Sequence, residues 1–200
     1  MGLHEADIRA RQRQSWLLAG VVTVLCMLLE AAGVRDALAY DRAALAAGQM
    51  WRLLTGHFVH LGWTHSVLNL AGLALVVWLV GTVFTWLRWL YIGFVSIAAI
   101  DAGLWLFNTD LDWYVGLSGM LHGLLAAGLL PRLLQRDRES MVLAVFVLAK
   151  LVWEQVGGPL PGSESTSGGT VIVDAHLYGV IGGLLAGALL RHREPQSASI

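Results

Sequence analysis

Long apolar stretches dominate the hydropathy pattern of this 200-residue chain. Six of them are bounded by charged residues, glycine or proline, and each is close to the roughly 20 residues that a helix needs to cross a bilayer. No strand-like alternation runs through them, and unpaired backbone amides are too costly in lipid, so helices are the predicted form. The sequence therefore predicts an all-α, polytopic membrane protein with six transmembrane helices. The predicted spans are residues 15–34, 64–83, 86–107, 116–134, 140–157 and 172–190.

The composition agrees with this pattern. Hydrophobic residues make up 56% of the chain and charged residues 14%, against roughly 25% charged residues in an ordinary globular domain. Six spans leave only short connections and two tails, so no water-soluble domain fits. The predicted organisation is an N-terminal tail at 1–14, a six-helix domain at 15–190 and a C-terminal tail at 191–200.

Charge and cysteine content exclude two classes of function. The formal net charge is −1 and the 13 basic residues are scattered, so the chain has no basic face for a nucleic-acid partner. Cys26 is the only cysteine and lies inside an apolar stretch, which excludes an intrachain disulfide and a thiolate metal cluster. The lipid bilayer is the expected surrounding.

The arginines predict the orientation, because short cytoplasmic loops are enriched in Lys and Arg. With six spans both tails lie on one side, and that side holds nine arginines, whereas the opposite side holds Arg35, Arg42 and Arg52. Both tails are therefore predicted to be cytoplasmic. The nine are Arg9, Arg11, Arg13, Arg88, Arg132, Arg136, Arg138, Arg191 and Arg193.

Three segments invite separate predictions, and the last two are connections on the outer side. Arginines before span one and the small residues at 37–39 also fit a signal peptide, whose removal would leave the later spans unchanged. The long connection 35–63, with Trp51 and Trp63, is expected to pack in the interface. The Gly-, Ser- and Pro-rich loop 157–170 is expected to resist regular structure and to be mobile.

Polar residues inside apolar spans are costly and mark functional sites by default. Span two begins with His57, His60, His65 and Asn69, span four with Gly-Leu-Ser-Gly around Ser118, and span six with Asp-Ala-His ending at His176. All three spans enter from the predicted outer side. These groups therefore share one shallow layer that water can reach.

Glycine spacing predicts which spans touch. Gly119 and Gly123 recur at four-residue spacing in span four, and Gly179, Gly183 and Gly187 do so in span six. Such stripes let membrane helices approach closely. Close packing of spans four and six would bring His176 to Ser118.

A serine beside a neutral histidine is the minimum for nucleophilic acyl transfer, since the imidazole removes the hydroxyl proton and later returns it to the leaving amine. The reaction also needs donors for the developing oxyanion. His65 and Asn69, one turn apart, can supply side-chain N–H groups, and the Ser118 backbone N–H can supply another.

Taken together and in order, these segments resemble the three signatures of rhomboid intramembrane serine proteases. They are Trp51-Arg52 with His60-x4-His65-x3-Asn69, the Gly116–Gly119 run, and Ala175-His176-x2-Gly179-x3-Gly183. The resemblance implies a six-helix bundle, a Ser118–His176 dyad without a third acid, and an oxyanion site of His65, Asn69 and the Ser118 amide. His60, Gly116 and Gly119 would support the site, and no cofactor or metal is implied.

A narrower set of residues resembles the rhombosortase branch. These are His122, Trp153-Glu154-Gln155 and the run 174–179. His122 lies one turn beyond Ser118 and is expected to pack under His176 and orient it. This resemblance implies a bacterial inner membrane location with the site near the outer face. It also implies single-pass membrane-protein substrates whose C-terminal tail carries Gly-Gly, a helix and a basic cluster.

The other charged residues in or near the predicted spans are not expected to take part in catalysis. Lys150 and Glu154 are four residues apart and are expected to pair. Asp101 has no evident partner in the sequence. Asp174 lies two residues before His176, which places it on a different helix face, so it is not expected to act as a third catalytic member.

Two other functions fit parts of the pattern. The histidines could hold zinc, in a metalloprotease or metal transporter, although no H-E-x-x-H motif or suitably spaced carboxylate accompanies them. A rhomboid-like protein without activity could bind membrane partners instead, although such relatives typically lack the nucleophile or the base, and both are present here.

Overall fold

The computed structural model describes residues 2–192 as a bundle of long helices with short elements in the connections. In chain order the elements are α1 (Gly2–Ala32), α2 (Arg35–Leu38), β1 (Tyr40–Asp41), α3 (Arg42–Ala46), α4 (Arg52–Thr55), α5 (Trp63–Val80), α6 (Trp86–Phe107), β2 (Trp113–Tyr114), α7 (Ser118–Leu134), α8 (Arg138–Gly157), α9 (Ser163–Ser167) and α10 (Asp174–His192).

The predicted all-α, polytopic class is confirmed. Residues Glu5–Ala32 of α1, together with α5, α6 and α8, are long and apolar enough to cross a membrane. The other two long helices lie inside the bundle: α7, an apolar helix of 17 residues, and α10, of 19 residues. At 1.5 Å per residue α7 rises about 26 Å, less than the roughly 30 Å of a hydrocarbon core.

Most boundaries differ from the predicted spans by a few residues, and α6 coincides with its span. The largest difference is at the N-terminus, where the predicted tail is helical from Gly2. Salt bridges between residues four apart, Glu5–Arg9 and Asp7–Arg11, support this polar extension. Of the predicted C-terminal tail, residues 193–200 lie outside the described residues, and the division into tails and domain stays a prediction.

The connection between α1 and α5 is tied to the rest of the bundle. Its strand β1 pairs antiparallel with β2, with Tyr40 opposite Tyr114. The Arg42 guanidinium donates hydrogen bonds to four carbonyl groups at and beyond the C-terminal end of α6, and it lies 4.7 Å from the centre of the Trp105 ring. Cations at a helix C-terminus are favourable because the carbonyl groups there carry partial negative charge.

The expectation that loop 157–170 lacks regular structure is wrong for residues 163–167. They form α9, which packs against α5. Gly162 and Gly168, both with φ of +81°, begin and end this short helix. The Ser163, Ser165 and Thr166 hydroxyls donate to nearby backbone carbonyls, so residues that commonly favour loops here stabilise a single turn.

The closest helix contact is between α7 and α10. A Cβ atom built on Gly179 would overlap the Gly119 carbonyl, and one on Gly183 would overlap the Gly123 carbonyl. A Cβ on Gly182 would lie 2.8 Å from backbone atoms of α6. Close approach of backbones through small residues is the usual way membrane helices associate, and it fixes α10 between α6 and α7.

Helix α8 lies at the edge of the bundle. Only Ser140, Leu151 and Glu154 are buried among its 20 residues. Ser140 lies near its beginning, where the Asp137 carboxylate accepts hydrogen bonds from the Ser140 amide and hydroxyl. The attachment of α8 near its other end therefore depends on Leu151 and Glu154.

Replacing Gly183 with alanine would force α7 and α10 apart. We expect the free energy of unfolding to fall by about 1–3 kcal/mol because the core is overpacked, as measured by unfolding in detergent micelles. Gly20→Ala is the matched control, since its Cβ would have no atom within 4 Å and alanine favours a helix by about 1 kcal/mol over glycine. Equal losses in both variants would contradict this role of the glycine contact.

Candidate active site

The structure brings Ser118 and His176 into contact. Ser118 is the first residue of α7, His176 is the third residue of α10, and the Ser118 Oγ lies 2.9 Å from the His176 Nε2. The glycine contacts explain this approach, because a Cβ on Gly119 would lie only 2.8 Å from the Ala175 carbonyl oxygen. The serine is partly exposed, whereas the histidine is buried.

His122 lies against the His176 ring. Its ring centre is 4.3 Å from that of His176, with an angle of 22° between the two planes. The His122 Nδ1 lies 2.8 Å from the Ser118 carbonyl oxygen, so this nitrogen carries a proton and donates. The hydrogen bond fixes the His122 ring, and the stacked ring in turn limits how far His176 can rotate.

On the other side of the His176 ring, Glu154 and Lys150 reach in from α8. The Glu154 Oε2 lies 2.9 Å from the His176 Nδ1, and its Oε1 accepts a 2.6 Å hydrogen bond from the Lys150 Nζ. Glu154 therefore pairs with Lys150 as expected from their spacing, but not with Lys150 alone. The expectation that no acid accompanies Ser118 and His176 is wrong.

These contacts determine the protonation of the His176 ring. A carboxylate accepts hydrogen bonds, so the Nδ1 carries the proton and donates a hydrogen bond to Glu154. The Nε2 is then the free acceptor of a hydrogen bond from the Ser118 hydroxyl. The imidazole is thereby held in the form that a general base requires.

His65 lies across the cavity from α10, on the first turn of α5. Its Nδ1 accepts a 3.3 Å hydrogen bond from the Leu61 amide, so its Nε2 carries the proton. A Cβ on Gly116 would lie 2.9 Å from the His65 Cε1 and 3.2 Å from its Nε2. The ring therefore packs on the glycine that comes two residues before Ser118.

Asn69 is buried one turn further along α5, and its Nδ2 donates to the His65 carbonyl at 3.0 Å. A side-chain amide has two N–H donors, so the second remains for another acceptor. Gly116 has a φ of +120°, and its carbonyl accepts a 2.7 Å hydrogen bond from the buried Tyr114 hydroxyl. Burial raises the pKa of Tyr114, so this hydroxyl remains a donor.

A second layer of histidines lies behind His65. The His60 ring is buried and meets the His65 ring edge-on at 5.2 Å. Burial, together with the nearby His65, lowers the pKa of His60 to about 3, so it is neutral at physiological pH. His57 lies 3.2 Å from Asp101, from its Nε2 to the Oδ1, which gives Asp101 the partner that sequence reasoning did not find.

Asp174 points to other residues than the dyad. Its carboxylate accepts a hydrogen bond from the Asn108 side chain, and the Tyr178 hydroxyl donates to the Asn108 Oδ1 at 2.8 Å. This set ties the start of α10 to the end of α6. Among the side chains that the structure describes, those of residues 5–191, no three His, Cys, Asp or Glu are grouped so that they could hold a metal ion.

Five of the predicted site residues line one cavity of about 320 Å³, which α9 borders through Ser163 and Ser167: His65, Asn69, Ser118, His122 and His176. The other three, His60, Gly116 and Gly119, lie behind its wall. Apolar side chains of α5 and α7 complete the wall, so a peptide entering it would meet both polar donors and an apolar surface. The polar lining comprises His65, Asn69, Ser118, His122, Lys150, Glu154 and His176.

Comparison with known proteins gives the family. Residues 47–193 match the family model described as Rhomboid domain. The chain belongs to the rhomboid family. It is also 32% identical over 145 residues to Rhomboid-like protease 5 of Toxoplasma gondii, an alignment that covers 70% of this chain and 16% of that protein. The chain thus spans only about a sixth of the length of that relative.

The multi-pass architecture fits a rhomboid domain.

The sequence predicted one partner of Glu154, Lys150, and missed the other, His176. The signal was the position of Glu154: it lies at the end of span five that is predicted to be outer, level with Ser118 and His176. A carboxylate has two oxygens, and an i, i+4 lysine satisfies only one of them. A buried acid with a free oxygen at that level therefore needed a second partner.

Gly116→Ala should displace the His65 ring as well as strain the backbone. Gly158→Ala is the matched control, because Gly158 also has a positive φ, of +78°, but no atom lies within 4 Å of its Cβ position. We expect the unfolding free energy of the Gly116 variant to fall by about 1–3 kcal/mol more than that of the control, together with a changed His65 ring signal in NMR spectra. Identical behaviour of the two variants would refute the ring contact.

Proposed function

We propose that this rhomboid protein is a serine-type intramembrane endopeptidase in which Ser118 is the nucleophile and His176 the general base. The observation that carries the proposal is the 2.9 Å contact between the Ser118 Oγ and the His176 Nε2 at the edge of the cavity. The distance is within the hydrogen-bond reach required of a nucleophile and its base.

In the proposed reaction the Ser118 hydroxyl attacks the scissile carbonyl while its proton moves to the His176 Nε2. The resulting tetrahedral intermediate collapses when His176 gives that proton to the leaving amine, which leaves an acyl ester on Ser118. Water then attacks the ester, with His176 again accepting and returning a proton. The two products are a new carboxyl end and a new amino end.

The oxyanion would be stabilised by three donors: the His65 Nε2–H, the second N–H of the Asn69 amide and the Ser118 backbone N–H. The Ser118 amide lies in the first turn of α7, where backbone N–H groups have no partner within the helix and the helix dipole favours negative charge. A single donor of this kind is worth on the order of 10²–10³ in rate.

The proposed orientation places both tails in the cytoplasm and the site near the outer face of a bacterial inner membrane. The arginine distribution supports the orientation. The assignment to a bacterial inner membrane depends on the resemblance to rhombosortases. Two of the residues that carry this resemblance, His122 and Glu154, contact His176.

The proposed substrates are single-pass membrane proteins whose C-terminal tail carries Gly-Gly, a transmembrane helix and a basic cluster. Glycines unwind from a helix at low cost, because they are poor helix formers and lack bulk, so they can present an extended peptide bond to Ser118. The basic cluster would hold the tail of the substrate in the cytoplasm, which places its glycines at the outer layer.

Ser118→Ala and His176→Ala should each reduce cleavage of a single-pass reporter in liposomes by a factor on the order of 10⁴–10⁶, because each removes half of the reacting pair. Ser165→Ala, which changes an exposed serine of α9, should retain the wild-type rate. A fluorophosphonate should label the wild type and not Ser118→Ala. Normal turnover in either alanine variant would disprove the assignment of the pair.

A reporter that carries Gly-Gly before its helix, followed by an arginine cluster, should be cut near the glycines. A matched reporter with Leu and Val in place of the small residues should resist cleavage, because those residues hold the peptide bond in the helix or fill the cavity. Mass spectrometry of the released ectodomain identifies the bond. Equal cutting of both reporters would overturn the Gly-Gly preference and leave the protease proposal intact.

A further inference from the structure

Glu154 is buried more deeply, and has more partners, than a salt bridge that only stabilises packing requires. Its side chain is 3% exposed, whereas that of Lys150 is 30% exposed, so the acid lies inside the bundle and the base reaches towards its edge. Each carboxylate oxygen has a separate partner, the His176 Nδ1 at 2.9 Å and the Lys150 Nζ at 2.6 Å. An exposed acid on α8 could have paired with Lys150, and no carboxylate would then have been buried.

We propose that Glu154 is a positioning residue that acts through His176, so that Ser118, His176 and Glu154 form a triad whose acid comes from α8, and that Lys150 offsets the negative charge of that acid. This inference rests on the proposed protease function. It assigns to the Lys150–Glu154 pair a part in the reaction and not only in the packing of α8.

The His176 ring gains a positive charge in the proposed reaction. When the Ser118 proton moves to the Nε2, the ring becomes an imidazolium with a proton on each nitrogen. The Nδ1 proton already points at the Glu154 Oε2, so the new positive charge forms beside a carboxylate in a site of low dielectric constant. Glu154 stays ionised throughout, and the transferred proton leaves from the Nε2 to the departing amine.

Titratable groups from several helices lie around the His176 ring. Helix α7 contributes His122, stacked on the ring, and α5 contributes His65 across the cavity. On α6, Asp101 faces His57, and on α10 itself Asp174 faces Asn108. Among the residues that the structure describes, Glu154 is the acid in contact with His176, and the Lys150 Nζ lies 3.3 Å from the Nδ1.

Helix α8 is attached to the bundle through few buried side chains. Apart from Ser140 near its beginning, Leu151 and Glu154 are its only buried residues within the described chain. The contact between α8 and the site is therefore made largely through the carboxylate. Moving α8 outwards would separate Glu154 from His176 and release the ring, so the reactive arrangement depends on α8 being seated.

The test compares Glu154→Gln, Glu154→Asp and Lys150→Met with the wild type in the reporter assay and in fluorophosphonate labelling across pH. Glutamine keeps the shape and removes the charge, so we expect kcat to fall by a factor on the order of 10²–10⁴ with KM nearly unchanged. The aspartate variant should regain at least part of that loss. Glu139→Gln, an exposed glutamate on the same helix, is the control and should match the wild type.

The pH profile separates a positioning role from a structural one. Removing the negative charge of Glu154 should move the acid limb of the labelling rate to lower pH, because the imidazolium loses its counter-ion. Removing the positive charge of Lys150 should move the same limb to higher pH. Shifts of opposite sign from two changes in one salt bridge are not expected from loosened packing, which would alter both variants in the same direction.

An unshifted acid limb and a kcat within about threefold of wild type in Glu154→Gln would overturn the inference while the wild type still cleaves and labels at Ser118. If Glu154→Gln does not fold, the Glu154→Asp and Lys150→Met profiles decide, and two unshifted limbs overturn it. A wild type that neither cleaves nor labels at Ser118 would overturn the proposed function itself, and this inference with it.

Discussion

Backbone contact between α7 and α10 at Gly119–Gly179 and Gly123–Gly183 sets the geometry of the whole site. Side chains would hold these helices several ångströms further apart, and the Ser118 hydroxyl would lose its contact with His176. Because the contact involves peptide groups, it has no rotamers that could adjust. Ser118 and His176, the proposed nucleophile and base, are therefore held by a contact between backbones, as preorganised chemistry requires.

The segments on the two sides of Ser118 and His176 differ in how many contacts attach them to the bundle. On one side, Arg42 fastens the first connection to the end of α6, and Arg52, although buried, donates to the Asp36 and Ala39 carbonyls. These bonds hold the chain that leads to His57, His60 and His65. On the other side, α8 is attached at few points. The side of the site with the proposed oxyanion donors is therefore held at more points than the side with Glu154 and Lys150.

The sequence predicted the helical class, the α7–α10 contact and the close approach of Ser118 and His176, because hydropathy and glycine spacing are local patterns with direct geometric consequences. It did not predict the His57–Asp101 contact or the second contact of Glu154, because the rotation of one helix relative to another is set by packing. The helical turn of α9 was missed because its serines and the glycines on either side of it have poor helix propensity on average. A specific set of hydroxyl–carbonyl bonds outweighs that average.

The Lys150–Glu154 salt bridge has a consequence for the electrostatics of the reaction in a membrane. The positive and negative charges cancel, so the group formed with neutral His176 and Ser118 carries no net charge at rest. In the proposed reaction the imidazolium and the oxyanion would form together and cancel as well. A change in total charge in a medium of low polarity costs several kcal/mol, whereas the proposed reaction would only move charge over a few ångströms inside a neutral group. The total charge of the buried site would therefore stay the same from the resting state to the tetrahedral intermediate.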